Sequence, residues 1–576
     1  MFSLSKFAKA SLKCPTSHRC AIRFLSPCAQ SQPTRSLSST SAQYEYPNRN
    51  EAPIITRSNA KENVSSATDD SRTRIKDKSR LTLDDVDKFD DRKEFSSTER
   101  DEIREKQKRE IKTSLSPLHK IMPTKPDHIP PNIQNSKLDV PETMVTTLSN
   151  GLRVVSQETY GQVTTVGVLA DFGSRLETNE TRGVNHLLEL LAFQSMHQYP
   201  NSADVVAKMD ALGGTTFAQS SREQMMYCVD VLRPNVEASV EILAGTILSP
   251  IISYEEVEQV KQVVQFQHMD MPPELKMGEG LQIAGYKDQQ LGMPHLCPPE
   301  ALSHLNPSVI QSFRAQNLSA SKMVLAAAGI EHEKLVELGE RYFSSIPPTD
   351  PSFHVMEVKP SIYSGGEFRL EQETVEGHTK VALAFEVGGW HSGDLLVPTC
   401  VLQILLGGGN SFSAGGPGKG MYSRLYREVL NKYYWAESAE SFTSLHSETG
   451  LFGISGSSKP ENSRDLTRVI TEHFAKLTTD LVKDEEIDRA RNMLKCNVLS
   501  QLESRLVLFE DIGRQILTYG KRESVEEMCK KIDAVTAEDL REIARKAVST
   551  PPTISTVGDD ISKVPTHEEL ASWFQN

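Results

Sequence analysis

The sequence predicts an α+β fold of two homologous repeats, each a mostly antiparallel sheet with helices packed on one face. Three observations predict it. Strand-like stretches are followed by stretches of helical period, and this plan occurs twice. The segment HTKVALAFEVGG (His378–Gly389) parallels TTVGVLADFGS (Thr164–Ser174), the sign of an internal repeat. Between the halves lies 346–366, broken by Pro347, Pro348, Pro351 and Pro360.

In chain order, residues 1–44 contain six basic residues (Lys6, Lys9, Lys13, Arg19, Arg23, Arg35) and no acid before Glu45. A basic, Ser-rich and acid-poor start is the mitochondrial transit signature. Phe2, Leu4, Phe7 and Leu12 supply part of an apolar face. Arg35-Ser36-Leu37-Ser38 reads as a cleavage site cut after Leu37, so 1–37 is expected to be a transit peptide. That places the mature, more acidic chain in the mitochondrial matrix. Residues 38–138 are dense in mixed charge and poor in aromatics, a composition that buries too little apolar surface to offset chain entropy. They are expected to form a disordered linker. Within it 100–112 alternates Glu with Lys and Arg like a solvated helix, and Pro123, Pro126, Pro130 and Pro131 close it.

The first repeat is expected over 139–345. Strands at 145–147 and 153–157 flank Ser149-Asn150-Gly151, where Asn-Gly signals a hairpin. Another strand covers 164–172. Val184, Leu187, Leu188, Leu191 and Ala192 recur at helical spacing, and a second helix over 203–212 stops at Gly213-Gly214. Strands follow at 215–219 and 224–232, helices at 236–247, 254–267 and 307–316, and a last strand at 323–328. The second repeat, 367–576, restates this. The helix over 395–406 takes the place of the one around His186, 484–499 resembles 254–267, and 536–547 resembles 307–316. The stretch 346–366 is the expected inter-domain linker.

Bulk properties exclude several classes. The 576 residues carry a net charge of −13, which disfavours nucleic acid and suits basic ligands. Mean hydropathy is −0.40, and no apolar run of about 18 residues exists to span a bilayer. The eight cysteines form no C-x-x-C pair, so neither a zinc ribbon nor a disulfide framework is indicated.

Two stretches carry the functional argument. LLGGGNSFSAGGPGKGMYSR (Leu405–Arg424) holds Gly407, Gly408, Gly409, Gly415, Gly416, Gly418 and Gly420 around Pro417. Such a segment is expected to continue neither helix nor strand, and to be a loop before a helix-like MYSRLYREVL. It fails the phosphate-loop pattern: Ser413 replaces the first glycine, and Gly420 replaces the hydroxyl residue after Lys419. Its glycines allow close backbone approach to another chain, with Phe412 and Met421 offering apolar contact. The second stretch is RGVNHLLELLAF. An inverted zinc-peptidase motif H-x-x-E-H needs two histidines for the metal and a glutamate for water. Here His186 and Glu189 are present, but Leu190 stands at the second histidine.

The hairpin, HLLEL in its helix, SREQ at Ser221–Gln224, the glycine-rich loop and the duplicated halves resemble the pitrilysin-like (M16) zinc peptidases. In particular they resemble the heterodimeric members that process mitochondrial presequences. The resemblance covers about 140–576. It implies two M16-type repeats and two kinds of subunit. One carries H-x-x-E-H plus a distal Glu and holds the zinc; the other lacks working zinc chemistry and carries the glycine-rich loop. Carried over by position, His186 and Glu189 match, Leu190 replaces the second histidine, and Gln267 stands at the distal glutamate. The resemblance thus implies no metal and no catalytic residue in this chain, with zinc in a partner β subunit. It also implies that Gly407, Gly408, Gly409, Phe412, Gly415, Gly416, Pro417, Gly418, Lys419, Gly420 and Met421 contact basic presequence peptides. No acid stands between Gly407 and Leu425, so carboxylates elsewhere must read the basic side chains. The alternative reading is a structural core subunit of the respiratory bc1 complex, an inner-membrane assembly; a self-sufficient M16 peptidase is disfavoured by Leu190 and Gln267.

Overall fold

The computed structural model describes residues 141–287, 289–347, 360–374, 376–411 and 421–574. The expected transit peptide, its cleavage site and the charged linker to 138 lie outside the described residues.

The N-terminal half forms β1 (Thr143–Thr147), β2 (Arg153–Gln157), β3 (Val163–Ala170), α1 (Val184–Leu190), α2 (Ser202–Leu212), β4 (Thr215–Ser220), β5 (Met225–Leu232), α3 (Val236–Leu248), α4 (Tyr254–Met269), α5 (Pro273–Tyr286), α6 (Pro307–Asn317), β6 (Met323–Ala328) and α7 (His332–Phe343). The C-terminal half forms β7 (Gly366–Glu371), β8 (Thr379–Gly388), α8 (Leu396–Leu406), β9 (Gly408–Asn410), β10 (Ala436–Leu445), β11 (Thr449–Ser458), α9 (Ser463–Thr479), α10 (Asp484–Leu502), α11 (Arg505–Tyr519), α12 (Val525–Ala534), α13 (Ala537–Val548), β12 (Thr553–Gly558) and α14 (His567–Trp573).

Local chemistry explains the boundaries. Gly151 turns the first hairpin at φ 90°, while Asn150 Oδ1 accepts the Leu152 N–H at 3.1 Å. Asn201 caps α2 by accepting from Ala203 N, and Gly213 ends it at φ 64°. Thr536 and Asp539 form a capping box on α13.

The two sheets have orders β1-β2-β6-β3-β5-β4 and β7-β12-β8-β11-β10-β9. In each, only one pairing is parallel, β2 with β6 and β7 with β12. Five strands of one sheet therefore match five of the other. β1 is extra in the first, and β9 is extra in the second, laid along the edge that β4 leaves open.

Alternation along the central strands assigns the faces. In β3, Val166, Val168 and Ala170 enter the core beneath the half's own helices, while Leu169 faces the other way. In β8, Val381, Leu383, Phe385 and Val387 point to their own helices, and Ala382 and Ala384 to the opposite face. The expected helices on one face are present. The opposite face is also covered, by a helix from the other half. Leu508, Phe509, Ile512 and Ile516 of α11 lie on Val155, Leu169, Met226, Val324 and Ala326 of the first sheet. Met277, Leu281 and Tyr286 of α5 lie on Ala382, Ala384, Leu451 and Val557 of the second. The exchange requires small residues at the crossings. A Cβ on Gly280 would lie 2.2 Å from the Phe368 ring, and one on Gly167 2.6 Å from Phe509 Cζ.

A polar seam joins the halves at the SREQ turn. Within the N-terminal half, Arg222 ties the turn to Glu279 of α5 at 2.9 Å. Glu223 pairs with Arg175 and accepts the Ser447 N–H at 2.9 Å. Gln224 reaches Arg514 and Thr518 of α11.

Among the described residues, His186, His446 and His473 are buried and held far below the ordinary histidine range. Burial holds His446 at about 3, with Arg222 and Arg175 adding to it. It holds His186 at about 3 and His473 at about 4. In the unfolded chain these rings protonate near pH 6.5. The folded state binds fewer protons below that value, so their contribution to stability is complete above about pH 6.5 and is lost as pH falls toward 3–4. The melting temperature should therefore drop between about pH 7 and pH 5; a flat profile in calorimetry would contradict this assignment.

Candidate functional site

The motif helix α1 is short, seven residues, and depends on its surroundings. Gly183 precedes it at φ 89°, and a Cβ there would lie 2.4 Å from Cys297 Sγ. Glu177 takes the N-terminal amides: its two oxygens accept from Gly183 N and Asn185 N, each at 2.7 Å. Burial pushes this carboxyl up to about 8, against those two donors and Arg182.

His186 is buried, and its Nδ1 accepts the Cys297 N–H at 3.1 Å. Burial holds the ring neutral, with His295 and His268 working in the same direction. Glu189 Oε2 accepts from Ser220 N at 2.7 Å and from Ser220 Oγ at 2.6 Å. His295 Nε2 lies 3.1 Å from Ser220 Oγ and 2.9 Å from the Ser220 carbonyl oxygen. Leu190 packs half-buried against the first core.

Gln267, expected at the distal position, is exposed. The inward face of α4 runs through Val257, Val260 and Val264, and one more step of four reaches His268, whose Nε2 lies 2.7 Å from the Cys297 carbonyl. Helical period thus places His268, and not Gln267, toward α1. Zinc hydrolysis needs three protein ligands and an open position. Leu190 offers no donor, Gln267 faces solvent, and His186 and Glu189 are engaged elsewhere, so these residues do not fit a zinc ion. Among the described residues no group of three His, Cys, Asp or Glu is placed to hold a metal. Sequence reasoning missed Glu177, Ser220, His268, His295 and Cys297, which belong to no motif and meet α1 only through the fold.

The glycine-rich stretch requires a correction. It was expected to enter no strand, yet Gly408–Asn410 forms edge strand β9, paired antiparallel with Ser438–Glu440. Glycine makes this possible in two ways. Gly407, Gly408 and Gly409 have φ of 53°, 104° and 153°, and a Cβ on Gly408 would lie 2.0 Å from Ala439 O. Ser441 N and Ser411 N donate to Gly407 O and Glu437 O at 2.8 and 2.7 Å, so Gly409 faces β10, and the backbone groups of Gly408 and Asn410 point away from it. Ser423 Oγ accepts the Gly408 N–H at 3.0 Å.

On the far side, Met421 packs against the second core. The expected helix is a single π-helical turn, Tyr426–Leu430, buried through Tyr426, Val429 and Leu430. Arg424 pairs with Glu486 of α10 at 3.0 Å. Both ends of the stretch are therefore anchored. Phe412, Gly415, Gly416, Pro417, Gly418, Lys419 and Gly420 lie outside the described residues. Gly408→Val should strip β9 from β10 and cost about 1–3 kcal/mol. Hydrogen exchange at the Ser411 and Ser441 amides would then quicken; unchanged protection would show that β9 does not depend on the glycine.

Comparison with known proteins fits this geometry. Residues 153–299 match the family described as Insulinase (Peptidase family M16), and 304–494 match the Peptidase M16 inactive domain. The chain is 38% identical over 456 residues to the probable mitochondrial-processing peptidase subunit alpha-1 of Arabidopsis thaliana, covering 79% of this chain and 89% of that one. It is 35% identical over 444 residues to the mitochondrial-processing peptidase subunit alpha of Homo sapiens, covering 74% and 84%. A chain of the Complex III2 structure from Candida albicans shares the fold, with a TM-score of 0.64, 22% identity and coverage of 75% and 99%. With its paired sheets, its donor-poor motif helix and its identity to these relatives, this chain belongs to the M16 peptidase family and, within it, to the alpha subunits of the mitochondrial-processing peptidase.

Proposed function

We propose that this chain is the substrate-recognising, non-catalytic subunit of a mitochondrial presequence peptidase, paired with a second M16 subunit that carries the zinc. Leu190 is the observation that carries the reading. A leucine at a ligand position removes the metal chemistry, while the chain keeps its family likeness along most of its length. Binding and presentation are what remain for it to do. The glycine-rich stretch is assigned to the presequence: Gly407, Gly408, Gly409 and Met421 fix its ends, and Phe412, Gly415, Gly416, Pro417, Gly418, Lys419 and Gly420 touch the peptide. The net charge of −13 favours approach of a basic peptide. Among the described residues no helix is long and apolar enough to cross a membrane, and a matrix location suits the reading.

Pull-down of the tagged chain from mitochondria, followed by presequence cleavage with and without the captured partner, tests it. Cleavage only in the presence of an H-x-x-E-H partner of similar size is the expected result. Cleavage by this chain alone, or capture of cytochromes b and c1 without such a partner, would overturn it, the latter in favour of a bc1 core subunit.

A further inference from the structure

Two sets of hydrogen bonds hold the residues around the motif helix, His186–Cys297–His268 and Glu189–Ser220–His295, and at His186 the polarity is opposite to that of a metal site. A neutral imidazole carries one N–H, and a metal-binding ring coordinates through its bare nitrogen while its N–H is donated to a neighbouring carboxylate, carbonyl or water. At His186 the neighbour of Nδ1 is a donor, the Cys297 N–H at 3.1 Å. With Nδ1 accepting, the ring proton sits on Nε2, and neither nitrogen is free for a metal. Moving the proton to Nδ1 would set N–H against N–H and strand a buried backbone donor. The other end of the same residue is also held, its carbonyl 2.7 Å from His268 Nε2. Glu189 is tied twice to Ser220 through one oxygen, and Ser220 in turn meets His295.

We infer that the former metal position is a metal-independent latch, in which His186, Glu189, Ser220, His268 and His295 join α1, α4, β4 and the segment around Cys297, and that restoring the missing ligands does not restore a zinc site. The leucine is thus one of two independent losses: one ligand position lacks a donor atom, and His186 Nδ1 meets a donor where a metal-binding ring needs an acceptor. This inference stands apart from the presequence reading, because it concerns zinc affinity and a ring tautomer, and neither depends on what the glycine-rich stretch binds.

The test uses the full chain with zinc alone as the probe. Leu190→His/Gln267→Glu supplies the family's ligands. Leu190→His/His268→Glu puts the carboxylate on the inward face of α4. Zinc affinity is measured by chelator competition, with a melting curve to show that each variant is folded. The expected result is binding about 10–100-fold weaker than that of a catalytic M16 subunit titrated in parallel. One zinc per chain at the catalytic subunit's affinity, in either variant, overturns the inference. Should both variants fail to fold, the unmodified chain decides. Nitrogen NMR of ring-labelled histidine should show His186 protonated on Nε2 and bare on Nδ1; a proton on Nδ1 overturns the latch.

Discussion

Phe509→Ala should destabilise the whole described body, by about 3–5 kcal/mol, the range for emptying a buried aromatic site. Phe509 is fully buried, and it belongs to α11, a helix of the C-terminal half that covers the back of the N-terminal sheet. The three tryptophans, Trp390, Trp435 and Trp573, all lie in the C-terminal half, which makes the experiment discriminating. The substitution empties space against Gly167 and Leu169 of the first sheet, yet the fluorescence reports the second. Because α5 makes the reciprocal contact, loss of one sheet's cover weakens the other. The tryptophan unfolding midpoint in urea should fall together with that of far-ultraviolet circular dichroism. A tryptophan midpoint unchanged from the unsubstituted chain, with loosening confined to the first sheet, would show that the halves unfold independently.

Deleting 413–418 should do the opposite, changing binding and leaving stability alone. The deletion falls between Ser411, whose N–H is tied to Glu437 O, and Met421, which packs on the second core. It removes Gly415, Gly416, Pro417 and Gly418 and leaves both anchors. In the reconstituted heterodimer, presequence affinity should fall about tenfold or more, roughly 1.4 kcal/mol, with the melting temperature unchanged. Equal affinity with and without the segment would reduce it to a connector between α8 and the π-helical turn. A parallel loss of melting temperature would mean that the segment braces the fold.

Much of the architecture was legible because it is written in local chemistry. Asn150-Gly151, Asn201 with Gly213, and Thr536 with Asp539 mark a turn and helix ends through their own hydrogen bonds and dihedrals, so the elements beside them lie within a few residues of expectation. The repeat was legible because TTVGVLADFGS and HTKVALAFEVGG run in parallel, with Gly167 between Val166 and Val168 and Ala384 between Leu383 and Phe385. What those small residues meant was not. Gly167, Ala382 and Ala384 are small because a helix from the opposite half crosses there, and nothing near them names that helix. α5 was itself hidden, since Gly278, Gly280 and Gly285 weaken its helical pattern, and only the position of Phe368 explains Gly280.

The site divides in the same way. Leu190 showed the lost donor in one letter. The inward direction of α4 needed its rotation, and the buried Val264 selects His268 over Gln267. Cys297 carried no signal, because its contribution is its backbone N–H and C=O, which every residue type except proline supplies alike. The glycines at 407–409 were read as a barrier to strand formation. In place they are a condition for it: a Cβ on Gly407 would meet Ser423, one on Gly408 would meet Ala439 O, and Gly409 holds a φ of 153°.

The reciprocal helix exchange also governs the order in which the polypeptide can complete itself. A chain synthesised, or threaded through a membrane, from its N-terminus presents the first sheet long before residues 505–519 arrive. Until then Val155, Leu169, Met226 and Val324 form an uncovered apolar face, the kind of surface that aggregates or recruits a holding chaperone. The first half therefore waits for the second, and residues 505–519 set the moment at which the first sheet becomes safe.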